Sequence, residues 1–297
     1  MARAIIVVAA VFVVAAVFVG GLPAYGQVEL KWKLAKEQTF VIEEVVTIQQ
    51  TSTIGGKRSK TKTKQTKRST IRVLEVGEDG SVKLEMRLDK ITATGHGAAY
   101  SATYKKMAGA IFHVSLDSKM QVTKFEGYDA LVTAVAGGIP QKAAIFRNLV
   151  SEQTIMRTIS QTFSIVPDDA VKVGDTWQRS TNLPLGPLGQ LEVNRTFTYA
   201  GKGRLRGASF DKLLVKAEAR YQLPKAEGQT LVITKAEVKS HDYDGTVHFD
   251  ATQGRLVQAD DKTRFTGSFM IKTSAGQTPL TLVYSRSSRR RVIDPKR

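Results

Sequence analysis

The chain has 297 residues, enough for one large or two modest domains, and its 44 Lys and Arg against 27 Asp and Glu leave a formal net charge of +17. That surplus implies attraction to anionic surfaces and says nothing about the fold. Cys is absent, which removes disulfides, thiol nucleophiles, iron–sulfur clusters, Cys-ligated zinc and an N-terminal lipid-modified Cys together.

The first segment reads as an export signal. Arg3 supplies a short positive region, Ala4–Val19 is an unbroken apolar run, Gly20-Gly21-Leu22-Pro23 breaks it, and Ala24-Tyr25-Gly26 offers small residues at −3 and −1. Cleavage is expected between Gly26 and Gln27, which places the mature chain in the periplasm or outside the cell. The competing reading is an uncleaved anchor, since the run is close to the shortest membrane span of about 17 residues.

From Glu29 to Phe125 the pattern predicts strands. Thr39–Ile54 is rich in Val, Ile and Thr, Gly55-Gly56 allows a turn, and Lys57–Val76 returns as the second arm of a long hairpin. In Val82–Leu88, Val82, Leu84, Met86 and Leu88 alternate with Lys83, Glu85 and Arg87, the mark of a half-buried strand. Ala98–Tyr104, Ile111–Leu116 and Met120–Phe125 are expected to extend the sheet.

The period then changes. Tyr128–Ala136 is a short Ala-rich helix ended by Gly137-Gly138, and Pro140 opens the next helix at its first turn. Ser151 is the expected N-cap of a third helix, in which Ile155, Ile159 and Phe163 recur every four residues as one apolar stripe. Pro167 stops it. Strands resume over Gln190–Gly201, Ser209–Leu223, Leu231–Tyr243, Thr246–Ala251, Arg255–Thr273 and Pro279–Arg286. Pro184 to Pro187 is expected as a loop and Arg289–Arg297 as a basic tail.

The two β-rich halves resemble each other. Leu34–Phe40 aligns with Val171–Trp177, Val82–Leu88 with Val215–Tyr221, and Gly109-Ala-Ile followed by His113 with Gly245-Thr-Val followed by His248. Phe40 to Gly109 is 69 residues and Trp177 to Gly245 is 68. The expected fold is therefore α+β and mainly β: two related antiparallel halves, as a curved sheet, half-barrel or pair of barrels, with a central helical insertion. The expected organisation is a signal peptide over 1–26, a first β half over 27–126, the insertion over 127–166, a second β half over 167–288 and the tail. An export signal, a β-rich half, a helical middle and then Val171-Lys172-Val173-Gly174-Asp175-Thr176-Trp177 resemble a functionally uncharacterised family of secreted bacterial proteins. The architecture is similar, more loosely, to the helix-capped half-barrels of periplasmic lipoprotein carriers. The first resemblance brings no activity, and the second is of fold alone.

Asp175 and Trp177 are candidate ligand-platform residues, with Phe40 as their counterpart in the other half. The alternative is a tight turn in which Asp175 accepts backbone N–H groups and Trp177 locks helix to sheet. Ile159 and Phe163 are candidates for contact with an apolar ligand. His241, His248 and Asp250 form a weak metal candidate, because two His and a carboxylate suit zinc or iron. No Gly-x-Ser-x-Gly or phosphate-binding Gly-rich loop is present, and Asp260-Asp261 reads as a solvated strand edge. No cofactor and no catalytic residue is indicated.

The hairpin's second arm concentrates charge. Lys57, Arg58, Lys60, Lys62, Lys64, Lys67 and Arg68 place seven cations in twelve residues, alternating in part with Ser and Thr. That is either a surface for anionic lipid head groups or envelope polymers or an edge protected against aggregation. Nucleic acid is not an expected partner, since the hairpin lacks aromatic residues for stacking. Two functions follow as expectations. The first is a non-enzymatic exported protein that binds an apolar or lipid-like molecule. The second is an envelope structural or adaptor protein held to anionic polymers or head groups.

Overall fold

The computed structural model describes residues 26–184, 189–223, 232–273 and 276–295. The signal segment and most of the Pro184–Pro187 stretch lie outside the described residues. Strands β1 (Thr39–Ile54), β2 (Lys57–Val76), β3 (Val82–Gly95), β4 (Ile111–Leu116) and β5 (Val122–Glu126) form the first half. The second holds β6 (Thr176–Pro184), β7 (Gln190–Leu205), β8 (Ala208–Gln222), β9 (Val232–Asp250), β10 (Arg255–Thr273) and β11 (Gly276–Ile293). Between the halves lie α2 (Tyr128–Ala136), α3 (Pro140–Leu149) and α4 (Glu152–Phe163); α1 (Ser101–Met107) sits inside the first half.

All eleven strands make one antiparallel sheet in the order β5-β4-β3-β2-β1-β11-β10-β9-β8-β7-β6. The halves meet where the first strand pairs with the last, Val41 opposite Ile293 through Ile54 opposite Leu280. The sheet is therefore continuous, and its edges, β5 and β6, are the two strands that the helices connect. Laid flat it would be about 48 Å wide, at about 4.8 Å per strand. Yet α4, a helix about 18 Å long, touches both edge strands. The sheet must curl, with α4 spanning the gap between its edges.

Alternation sorts side chains onto two faces. Phe40, Ile42 and Glu44 of β1 share the inner, helix-covered face with Ile71, Ser69 and Lys67 of β2. A large core joins this face to Leu131, Phe146, Ile159 and Phe163 of the helices. A second core, which includes Leu191, Phe265, Phe269 and Leu282, lies inside the curl of the second half. Residues 26–38 cross the base, where Val28 bridges Val171 and Trp32 packs on Phe163 and Phe249.

Three expectations change. Ala98–Tyr104 is not a strand: a 3₁₀ turn over His96–Tyr100 leads into α1. At Gly95, φ is 67° and a Cβ would lie 2.3 Å from the Lys62 carbonyl oxygen, so the chain leaves the sheet there. The expected break between Tyr243 and Thr246 is absent: Gly245 lies within β9, where a Cβ would crowd Val215. β11 runs to Ile293 and takes in Arg289–Arg291, because β1 and β10 flank it on both sides.

The repeat holds in strand order, and two of the three residue matches slip. Phe40, Ile71, Met86 and Phe112 pair in a row across the first half, and Trp177, Phe197, Val215 and Gly245 do so in the second. Val215 thus occupies the place of Met86, four residues along from Val82, and Gly245 that of Phe112, three along from Gly109. The even slip at Val215 keeps each side chain of that strand on its face, so alternation alone does not resist it.

Candidate functional site

The helices are fixed over the sheet by their ends. Ser151 caps α4, its Oγ accepting from Thr154 N at 3.2 Å. At the other end a helix leaves carbonyls without partners, and here side chains from two distant segments satisfy them. Trp32 Nε1 donates to the Phe163 carbonyl (2.7 Å) and Trp177 Nε1 to that of Ile165 (3.2 Å). Arg179 Nε donates to the Ser164 carbonyl (3.1 Å) and its Nη2 to that of Val166 (2.8 Å). Trp177 also stacks on Phe197, with ring centroids 5.5 Å apart. Asp175 Oδ2 accepts from Lys172 N (3.0 Å), closing the turn that delivers Trp177. The Val-Gly-Asp-Thr-Trp segment is a latch on α4, and Trp177 does not line either cavity.

Beneath the helices lies a cavity of about 740 Å³. Its floor is the inner face of β1–β4, and its roof is α1–α4. Met86, Leu88, Ile91 and Phe112 rise from the sheet; Leu131, Val135, Phe146, Ile155, Ile159 and Phe163 descend from the helices. Tyr100 and Ile145 also line it, yet are 55% and 60% exposed, which marks its mouth between the 3₁₀ turn and α3.

One row of charge crosses the floor. Glu44 is 7% exposed and stands between its ladder partners Lys67 on β2 and Arg290 on β11. Lys67 Nζ lies 2.9 Å from Glu44 Oε2, and Arg290 Nη2 lies 3.1 Å from Oε1. Burial by itself would raise the Glu44 carboxyl; Lys67 and Arg290 outweigh it and hold the group well below the usual carboxylate range. Asp261 faces the same way, paired with Arg286 at 2.6 Å and hydrogen-bonded by Ser288. Asp260 faces outward to Arg289 (2.6 Å). The acidic pair is therefore split between two faces, and neither member is an unpaired edge charge.

Across this row is a second chamber of about 210 Å³, between α4 and the inner face of β6–β11. Arg157, Arg195, Arg286, Arg290 and Glu44 line it, together with the hydroxyls of Thr181, Ser240, Tyr243 and Thr263. Glu44, Thr154, Thr158 and Arg290 border both cavities.

Residues 81–205 match a family of unknown function, DUF6263. That stretch runs from the turn before β3, through the helices, into β7, and so includes the roof and the latch. No curated protein matches the chain. Among solved structures, lipovitellin, whose structure concerns lipid–protein interactions, is 8% identical with a TM-score of 0.43. That match covers 89% of this chain, and this chain spans about a quarter (26%) of the lipovitellin chain. An outer membrane channel from Pseudomonas putida F1 is 9% identical with a TM-score of 0.20, over 89% of this chain and 98% of that one. A DUF1329 family protein from Desulfovibrio piger ATCC 29098 is 9% identical with a TM-score of 0.14, over 82% and 83%. None of these likenesses enters the functional argument, which rests on the cavities.

The remaining candidates fall in three places. Ile159 and Phe163 line the larger cavity, whereas Phe40 is buried in the core beside it. The seven cations of β2 divide between faces: Lys57 and Lys67 share the inner parity, and Arg58, Lys60, Lys62, Lys64 and Arg68 the outer one. Arg68 pairs with Glu43 at 3.2 Å. The exposed side chains of Arg58, Lys60, Lys62 and Lys64 stand opposite Thr53, Thr51, Gln49 and Thr47 of β1, with no carboxylate in that row.

The metal candidates are separated. His241 and His248 lie seven positions apart on one strand, about 23 Å at about 3.3 Å per residue. His241 Nε2 is 2.9 Å from Thr266 Oγ1, and Asp250 Oδ1 accepts from Gln253 N (2.9 Å). Among the described residues no three His, Asp or Glu side chains are grouped to hold a metal. Sequence reasoning missed Glu44, Asp261, Arg286 and Arg290. The available signal was a carboxylate and several arginines at inward positions of otherwise apolar or hydroxyl-bearing faces.

Proposed function

We propose that this chain is an exported, non-enzymatic binding protein whose ligand is an apolar or lipid-like molecule held between the helices and the curled sheet. The observation that carries this reading is the cavity of about 740 Å³, within the roughly 300–1,000 Å³ usual for small-molecule sites. Its walls come mainly from Leu, Ile, Val, Met and Phe, and it opens where Tyr100 and Ile145 meet solvent. An apolar molecule that replaces water there gains roughly 25 cal/mol for each Å² it buries. Catalysis is left out of this reading because no nucleophile and base stand at a recognisable spacing in the chain. Export rests on the N-terminal segment alone.

The test is titration of the chain from Gln27 onward with N-phenyl-1-naphthylamine. Saturable fluorescence enhancement, displaced by dodecanol, is expected. Ile155→Trp, which places an indole in the cavity, should abolish it while the circular dichroism spectrum is retained. A folded protein that shows no saturable enhancement overturns the reading.

A second reading, an envelope adaptor that binds anionic polymers or head groups, is favoured by the outward row of Arg58, Lys60, Lys62 and Lys64. The two readings use opposite faces of β2 and are compatible.

A further inference from the structure

We infer that the ligand is an anionic amphiphile, its chain in the larger cavity and its charged head in the arginine-lined chamber on the far side of the Glu44–Arg290 pair. This rests on the binding reading above and adds the class of molecule.

Both cavities have apolar walls, and the smaller one has the larger polar share. The chamber presents four guanidinium groups and one carboxylate, and ion pairs match two of the four. Arg286 is matched by Asp261, and Arg290 shares Glu44 with Lys67. Arg157 and Arg195 have no carboxylate within salt-bridge distance among the described residues. Arg157 bonds the Gln153 side-chain oxygen (3.3 Å), and Arg195 Nε donates to Tyr243 Oη (2.8 Å) with its guanidinium over that ring. Uncompensated positive charge in a partly enclosed site is costly unless an anion shares the space. Guanidinium forks and hydroxyls are also the groups that hold phosphate and carboxylate heads.

The two spaces adjoin. The residues they share are an ion pair on the sheet and two threonines one turn apart on α4, with no strand or helix between. About 740 Å³ on one side suits a chain, and about 210 Å³ on the other suits a head group.

Calorimetric titration of the chain from Gln27 onward with dodecyl phosphate, dodecanol and inorganic phosphate separates the possibilities. Dodecyl phosphate should bind at least about tenfold more tightly than dodecanol, the ratio expected of one charge-assisted hydrogen bond. Inorganic phosphate should bind more weakly than either. Arg157→Gln with Arg195→Gln should remove the preference for the phosphate and leave dodecanol binding unchanged; neither substitution strands a carboxylate. Equal binding of dodecyl phosphate and dodecanol overturns the inference and leaves the apolar cavity standing. So does a preference that survives both substitutions. Inorganic phosphate binding as tightly as dodecyl phosphate would mark a simple anion site and also overturn it. If neither dodecyl compound binds, the reading of the cavity falls and takes this inference with it.

Discussion

Glu44 and Arg290 stand 246 residues apart in sequence and face each other across the β1–β11 ladder, Nη2 to Oε1 at 3.1 Å. They lie at the join of the two halves, so the pair ties the first strand to the last at the point where the sheet becomes continuous. Glu44→Gln keeps the shape and leaves Lys67 and Arg290 facing a neutral group. Removing one partner of a buried pair costs about 3–5 kcal/mol, and a loss near the lower figure is expected in urea unfolding. The carboxyl is depressed in the folded state, so its contribution is complete above the unfolded Glu value of about 4.3 and is withdrawn as pH falls below that value. The wild-type protein should lose stability across that acid range more steeply than the Gln variant.

The latch on α4 predicts a graded series. Trp177→Phe keeps the stack on Phe197 and drops the bond to the Ile165 carbonyl, a loss of about 1 kcal/mol. Arg179→Lys cannot serve the Ser164 and Val166 carbonyls together, because one ammonium replaces a planar fork; about 1–2 kcal/mol is expected. Arg179→Met should cost more than either. Hydrogen exchange should show the amides of α4 opening first in each variant. If β7 amides exchange earlier than α4 amides, the latch is not what holds the helix.

Local chemistry was legible in the sequence; long-range pairing was not. Ser151 as a cap, the Ile155–Ile159–Phe163 stripe, Pro140 at a helix start and the Gly55-Gly56 hairpin each depend on residues a few positions apart. The charged row depends on Lys67, Glu44 and Arg290 becoming neighbours through a β1–β11 pairing that nothing local dictates. Arg290 was hidden among Arg289 and Arg291, which face outward while it faces in. Asp260 and Asp261 look like one feature in the sequence, though adjacent strand residues point to opposite faces. Ala98–Tyr104 misled for another reason: small and aromatic residues suit either state, and the departure at Gly95 decides it.

His248 is buried, and its Nδ1 has no hydrogen-bond partner among the described residues. Burial, assisted by Lys212 and opposed by Asp260, pushes its pKa below the ordinary value. A histidine kept neutral in the fold stabilises fully above its unfolded pKa of about 6.5, and that contribution is lost as pH falls through the lower folded value. His248→Leu should remove this decline and relieve the orphaned nitrogen, raising stability at pH 7 by about 1 kcal/mol. Parallel pH–stability curves for wild type and variant would sink the prediction.

The outward row on β2 predicts a change in binding without a change in folding. Lys60, Lys62 and Lys64 are exposed and have no ion-pair partner among the described residues, so replacing all three by Gln should alter stability by no more than about 0.5 kcal/mol each. If the row contacts an anionic surface, wild type should bind phosphatidylglycerol vesicles at low salt and release them as salt rises, since screening shortens to about 8 Å at physiological ionic strength. At about 1 kcal/mol for each basic residue near such a surface, the triple variant should bind roughly a hundredfold more weakly. Binding of N-phenyl-1-naphthylamine should be unaffected, because these side chains leave the opposite face of the strand from Gln65 and Lys67, which border the cavity. Undiminished vesicle binding by the variant would assign the row to protection of the sheet.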